Sequence, residues 1–548
     1  MARSSANSLL QRELLDTIKS LRSTVENLQA TIEDLRKALA ESQEKERLAR
    51  EEIEVMKKRF FGRSSEKHMV QSEGQLDFFN EIELEADKHQ EEEFPYEADP
   101  ELIPGKEEKK RKPRTLRKEM FKGLLVEEEV IDLPEDKKVC SECGSPLEAV
   151  GQRVIRETLK FVPARLTVVR TIAKVYGCPK CKEEKANIIT PEVADALIPH
   201  SYASRSVVAH SMYQKFVNAV PLYRQEKDWE QMGALLSRGT LGRWINICSD
   251  EYFIPIYEYF HRLLLGRQFA MADETRLQVL KEPGRNPETD SFMWLFRSGE
   301  DGLPPLILYR YTETRAKFNA VEFLKGFKGY LMTDGYQGYN NLPEIIREAC
   351  WAHIRRYFCD AIPAGKKGDL SEPAVQGVQY CDSLFAIERY CKENKFTYEQ
   401  RYEFRNKKAP KILKAFWAWL DKQNPTKGSR MDKAVTYTRN QKPYAETYLQ
   451  DGHCSLSNNL SENSVRGVCV GRRNWLFCDT PGGAHASATV YTMVEMAKAH
   501  GLNVEKYLTF LLEKRPHAGM SDEELEKLTP WSEEARIYCG YAQQIAFT

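Results

Sequence analysis

The chain has 548 residues, 41% of them hydrophobic, which implies several domains with ample material for a core. Its formal net charge is zero, so bulk charge does not mark a nucleic-acid binder, and its 13 cysteines are odd in number and mostly scattered, which argues against a disulfide framework and for a reducing cytoplasm. No apolar run is long enough to span a membrane, and the N-terminus lacks the apolar stretch of a signal peptide.

Residues 9–56 read as one long helix. Leu14, Ile18, Leu21, Val25, Leu28, Ile32, Leu35 and Leu39 alternate in steps of four and three, with β-branched residues at a and leucine at d through the middle. That choice favours a parallel two-stranded coiled coil, hence a homodimer or higher oligomer. A helix packed on its own domain usually carries a wider apolar stripe.

Residues 57–118 read as a basic segment followed by a charged linker. Within it, residues 71–105 carry twelve acids and one lysine, and residues 106–118 carry eight bases and two acids. The zero net charge therefore hides a basic stretch able to meet DNA phosphates without sequence preference, although most charge runs are simply solvated.

Residues 119–190 hold two CxxC pairs, Cys140/Cys143 and Cys178/Cys181, with 34 residues between them. Each pair can place two thiolates on one ion, and four close a tetrahedral site with no open position, so the expectation is a four-cysteine zinc ribbon holding structural Zn2+. The β-branched segment between the pairs reads as hairpin strands.

Residues 191–265 read as helical. Gly233 separates two helical patterns and Ser237 can cap the second, a helix-turn-helix arrangement in which Arg238 and Arg243 would face DNA. A helical connector that binds nothing fits the same pattern.

Residues 266–500 show strand-like runs at FAMADE, SFMWLFR, PLILYRY and GYLMTD, with a helical stretch before the last. The pattern alone says α/β. Asp273 lies inside the first run and Asp334 ends the fourth, poor places for unpaired carboxylates if they were merely core. Residues 361–455 read as a helical insertion. Ser457–Phe477 follows, with Glu462 in the first turn of a helix beginning near Asn458 and Asn459, and Arg466 on the same face. A surface ion pair would explain Glu462 alone. Two aspartates and a helix glutamate together can hold two Mg2+ (or Mn2+) ions, which suits in-line displacement at phosphorus. Between them, Cys350-Trp-Ala-His353-Ile-Arg355-Arg356 has the spacing of half a metal site without a second half, and otherwise reads as a helix with buried Cys and Trp and an exposed basic face. Residues 501–548 are a tail without recognisable chemistry.

ADET, TDGYQGY, CWAHIRR and SNN…EN…GRRNWLF together resemble the bacterial insertion-sequence sixty-six family of DDE transposases, over nearly the whole chain. Gly467 departs from the family, where proline is frequent, without touching the carboxylates. The resemblance implies a multidomain α/β protein: a ribonuclease-H-like catalytic core with helical insertion, an N-terminal coiled coil and a zinc ribbon. It implies Asp273, Asp334 and Glu462 as the catalytic triad, His353 beside it, and Arg355 and Arg356 on DNA phosphates; Arg466, Arg472 and Arg473 are further candidate DNA contacts. The expected activity is cleavage at element ends and strand transfer into target DNA, in a bacterial, nucleoid-associated setting, with other proteins encoded by the same element as partners. A nuclease that cuts without joining, or a non-catalytic DNA-binding regulator, would share many of these features.

Overall fold

A computed structural model describes residues 166–177, 188–363, 365, 366 and 368–540, with part of residues 17–53. The linker and the four cysteines Cys140, Cys143, Cys178 and Cys181 lie outside the described residues. Residues 22–39 are helical, and Val25, Leu28, Ile32, Leu35 and Leu39 are exposed along that helix. Tyr176–Gly177 and Ile188–Ile189 form a two-residue antiparallel ladder. No helix among the described residues is long and apolar enough to cross a membrane.

Four helices precede the sheet: α1 (Arg205–Phe216), α2 (Leu222–Gln231), α3 (Arg238–Cys248) and α4 (Ile254–Leu265). Ser204 and Ser237 cap α1 and α3 by accepting from the N–H groups of Val207 and Thr240. Gly233 takes φ +90° in the turn before α3, a conformation that disfavours any side chain. A π-helical turn, Ser249–Phe253, joins α3 to α4, so the second helix of the pair runs on toward the sheet instead of ending.

Strands β1 (Phe269–Gln278), β2 (Asp290–Ser298), β3 (Ile307–Thr312), β4 (Gly329–Thr333) and β5 (Ile345–Ala349) form one mixed sheet in the order β3-β2-β1-β4-β5. The first three pair antiparallel, while β4 lies parallel to β1 and β5 parallel to β4. Helix α5 (Lys317–Phe323) makes the crossover that parallel pairing requires. Strand β5 had no signal in the sequence reading. Its Arg347 and Glu348 are both buried, so its pattern lacks the apolar alternation that betrays a strand.

After the sheet come α6 (Trp351–Ala361), α7 (Pro373–Glu393), α8 (Tyr398–Asp421) and α9 (Arg430–Ala445). They share an aromatic core in which Trp351, Phe358, Phe416 and Trp417 pack together. Arg405 sits fully buried there, binding the Glu388 carboxylate and the carbonyls of Tyr448, Asp451 and Cys454. It thereby fixes the loop that leads to α10 (Asn459–Trp475).

Helix α11 (Pro481–Ala499) is buried along most of its length and covers the β3 edge. The Tyr309 N–H donates to Thr492 Oγ1 (3.0 Å) and the Ile307 N–H to Met496 Sδ (3.2 Å), so the outer strand's donors are satisfied by a helix. The last of the described residues form three further helices, α12 (Val504–Lys514), α13 (Asp522–Glu526) and α14 (Glu533–Cys539). Helix α12 packs on α1, where His210 Nδ1 lies 2.8 Å from Glu505 Oε1.

Candidate active site

The parallel register of β1 and β4 decides where the aspartates meet. Met271 stands opposite Met332, so continuing two residues sets Asp273 beside Asp334. Asp334 follows the last residue of β4, and Asp273 lies midway along β1, level with that strand end, where β1 has an antiparallel neighbour on one side and a parallel one on the other. Crevices at such switch points are where open α/β sheets hold ligands. Asp273 Oδ1 accepts from the Glu274 N–H (2.8 Å) and Asp334 Oδ1 from the Tyr336 N–H (2.9 Å). Gly335, next to Asp334, is dictated by packing, because a Cβ there would stand 2.4 Å from the Tyr437 ring. The buried Arg347 of β5 donates to Thr333 Oγ1 (3.0 Å) and to the Asp334 carbonyl, which holds the end of β4 in place.

Glu462 reaches the same crevice from α10, which lies along β1. The sequence placed it in the first turn of a helix, and there it stands. Asn458, the residue before α10, does not cap with its side chain. Its Nδ2 donates to the Ala272 carbonyl (3.2 Å), its N–H to Cys350 Sγ (3.2 Å), and its Oδ1 accepts from Ser461 Oγ (2.8 Å). One fully buried amide therefore ties the β1 backbone beside Asp273, the start of α6 and the start of α10. Farther along, Arg297 donates to the Leu460 carbonyl (2.8 Å) and Ser464 Oγ (3.0 Å), bracketing Glu462 from the sheet side.

Glu462 is only 3% exposed, which excludes a surface ion pair with Arg466. Its carboxylate is 3.6 Å from His353 Nε2 and 3.7 Å from Arg356, both on α6, and neither oxygen accepts a hydrogen bond among the described residues. Burial, then the charge of Asp273, pushes its pKa up to about 9, against the pull of Arg356. Asp273 is raised well above the usual carboxylate range, by burial first and then by Glu274 and Asp334. Glu274 is pushed up to about 7 by burial and Asp334, with Arg315 and Tyr339 pulling the other way. Burial and Arg356 lower His353 to about 3, so its imidazole is neutral. The arrangement is a dry cluster of mutually repelling carboxylates, the electrostatic state that a hard cation relieves. Among the described residues, however, no group of three or more His, Cys, Asp or Glu already surrounds one ion position.

The basic candidates divide. Arg238 and Arg243 are exposed on α3, and Arg473 is exposed near the end of α10. Arg466 is partly buried one turn from Glu462. Arg472 donates to Thr275 Oγ1 (3.2 Å) and to the Arg276 carbonyl, locking α10 to β1. The exposed basic face expected on α6 is absent: Arg356 points to Glu462, and Arg355 is buried in an ion pair with Asp382 of α7 (2.5 Å). Arg355 is thus committed to the helical insertion and not presented to a phosphate. Asn458, Glu274, Arg297, Arg315 and Arg347 are site residues that the sequence alone does not mark; the available signals are a charged residue inside each of the strand-like runs FAMADE and SFMWLFR, at Glu274 and Arg297.

Residues 200–486 match the Transposase IS66 family, and residues 137–182 the zinc-finger binding domain of transposase IS66. Residues 48–128 match a family described as Transposase C of IS166 homeodomain. The chain is 28% identical over 422 residues to the uncharacterized protein y4jD of Sinorhizobium fredii (strain NBRC 101917 / NGR234), covering 74% of this chain and 80% of that one. It is 27% identical over 427 residues to y4qI of the same organism, covering 75% and 77%. The match over residues 200–486 takes in the sheet, the helical insertion and all three clustered carboxylates, and the chain belongs to the IS66 family of transposases.

Proposed function

We propose that the protein cuts DNA at element ends and joins the freed ends to target DNA, with Asp273, Asp334 and Glu462 as the reacting centre of a ribonuclease-H-like core. The observation that carries this reading is the convergence of the three carboxylates at the sheet's switch point, two set by strand register and one by a helix pinned through Asn458. The strand order β3-β2-β1-β4-β5, with its first three strands antiparallel, is the order that the ribonuclease-H-like reading calls for.

Asp273, Asp334 and Glu462 would hold Mg2+ or Mn2+. The donor set fits, since hard oxygen ligands are clustered and Glu462 keeps two buried oxygens without hydrogen bonds among the described residues. Such ions, when bound, neutralise the cluster and stabilise charge on the attacking and leaving oxygens. The chain's own residues position these groups. Arg347 and the Tyr336 N–H orient Asp334, Asn458 and Arg297 orient Glu462, and the neutral His353 lies against the Glu462 carboxylate without competing for protons near neutrality. Cleavage consumes one water: a P–O bond forms to the water oxygen, the bond to the 3′-oxygen breaks, and a 3′-hydroxyl and a 5′-phosphate result. In joining, that 3′-hydroxyl attacks a target phosphodiester, one P–O bond replaces another, and no energy source is needed.

The remaining parts follow from the same reading. The heptad helix pairs two copies so that two centres serve two ends. Cys140, Cys143, Cys178 and Cys181 hold structural Zn2+, and Arg238, Arg243 and Arg473 meet phosphates. Purified protein incubated with labelled element-end DNA, supercoiled target and Mg2+, beside Asp334→Asn, tests the reading. Joined products from the wild type and none from the variant support it. Cutting without joining would replace it with a nuclease, and no product despite DNA binding would refute it.

A further inference from the structure

We propose that Arg315 is a phosphate-binding residue of this site, gripping a phosphate of the bound strand next to the one attacked. The inference rests on the reading of the three carboxylates as the reacting centre. Arg315 lies in the short connection between β3 and α5. β3 runs parallel to β1 and β4, so this connection opens on the same sheet edge as Asp273 and Asp334. Arg315 Nε donates to Glu274 Oε1 (2.6 Å), and Nη2 also meets that carboxylate and lies 3.8 Å from Asp334 Oδ2. Its guanidinium lies 3.8 Å from the centroid of the Tyr336 ring, and the Tyr336 hydroxyl donates to the Arg315 carbonyl.

The Glu274 side chain is 1% exposed while that of Arg315 is 39% exposed. One edge of the guanidinium is therefore anchored in a buried carboxylate and another meets solvent at the rim. Nη1 makes no hydrogen bond to the protein among the described residues, although a guanidinium carries five donors in a fork suited to phosphate. Other arginines nearby have different work: Arg347 and Arg355 are buried in internal bonds, and the backbone at Asp334 is already held by Arg347. Arg315 is left as a preset cation beside Asp334, stiffened by stacking and by Glu274, with an edge directed to whatever anion enters.

The test is a cycle between Arg315→Ala and DNA ends in which one phosphate at a time, from two nucleotides before to two after the cleaved bond, is replaced by an uncharged methylphosphonate. Single-turnover cleavage is followed with Mg2+. Arg315→Ala should lower the rate on native DNA about 10²-fold, as expected for loss of one preorganised donor group. Overall DNA binding should change far less, because many other phosphate contacts remain. At one position the methylphosphonate should slow the wild type strongly and the variant hardly at all. Because the alanine leaves Glu274 buried without its partner, the same cycle is run on Arg315→Ala with Glu274→Gln, which removes the orphaned charge. Independent, multiplying defects at every phosphate overturn the assignment while leaving the functional reading intact. A wild type that cleaves none of these duplexes overturns both.

Discussion

Glu462→Gln should make the ion-free protein more stable, and increasingly so as pH rises. Glu462 is buried beside Asp273, and its pKa rises from 4.5 to about 9 on folding. The folded chain then keeps a proton that the unfolded chain gives up, so stability falls as pH climbs from 4.5 toward 9. The full shift corresponds to about 6 kcal/mol, and the part titrated by pH 8 to about 5, at roughly 1.4 kcal/mol per unit. Water entry and side-chain rearrangement relieve much of such a penalty, so we expect a gain on the order of 2 kcal/mol at pH 8 and little at pH 5. For a domain of this size that is a rise of about 4–8 °C in thermal midpoint. The assay is thermal unfolding at pH 5, 6, 7 and 8 in buffer without divalent ions, using no chelator so that any cysteine-bound ion stays in place. Added Mg2+ should stabilise the wild type more than the variant. A gain that does not change with pH, or a loss at pH 8, would refute the electrostatic account of the site.

Gly335→Ala should drive a Cβ into the Tyr437 ring, costing about 1–3 kcal/mol and displacing Asp334, and the double variant with Tyr437→Ala should recover part of the lost stability in a denaturation cycle. Arg405→Met should cost about 3–5 kcal/mol by leaving three carbonyls without their donor and Glu388 held by Arg401 alone, measured by thermal unfolding; a loss under ~1 kcal/mol would show that the buried network contributes little. Cys140→Ser should abolish binding of one zinc per chain in elemental analysis, and unchanged zinc would refute the four-cysteine site. Leu28→Lys with Leu35→Lys should convert dimers to monomers in light scattering, because two charges would fall on the exposed heptad seam, and an unchanged mass would place association elsewhere.

Local order was legible in the sequence wherever one interaction dominates. Ser237 as a cap, Gly233 as a break and the first four strands follow from short-range rules, and all stand where those rules put them. Asp273 and Asp334 stood out because a carboxylate in a strand or at a strand end needs a reason, and Glu462, in a helix, gained weight only beside them. Strand β5 did not stand out, because its Arg347 and Glu348 are offset by partners far away in sequence, such as Gln441 and the charge of Arg405.

What the sequence by itself determined was the first four strands, the cap and break before α3, and two aspartates and a glutamate whose placement asked for a reason. The tertiary structure decided which of the nearby charges stand in the site. CWAHIRR offers two adjacent arginines of equal standing, and helical geometry turns them about 100° apart. One then meets Glu462 and the other Asp382, on a helix 27 residues further along the chain. Asn458 has the look of a helix cap, yet a carbonyl 186 residues away takes its amide. Arg315 has no sequence signal, and acquires its place only because β3 ends on the same edge as β1 and β4. Partners separated by tens to hundreds of residues are set by register and packing, and no local pattern carries that information.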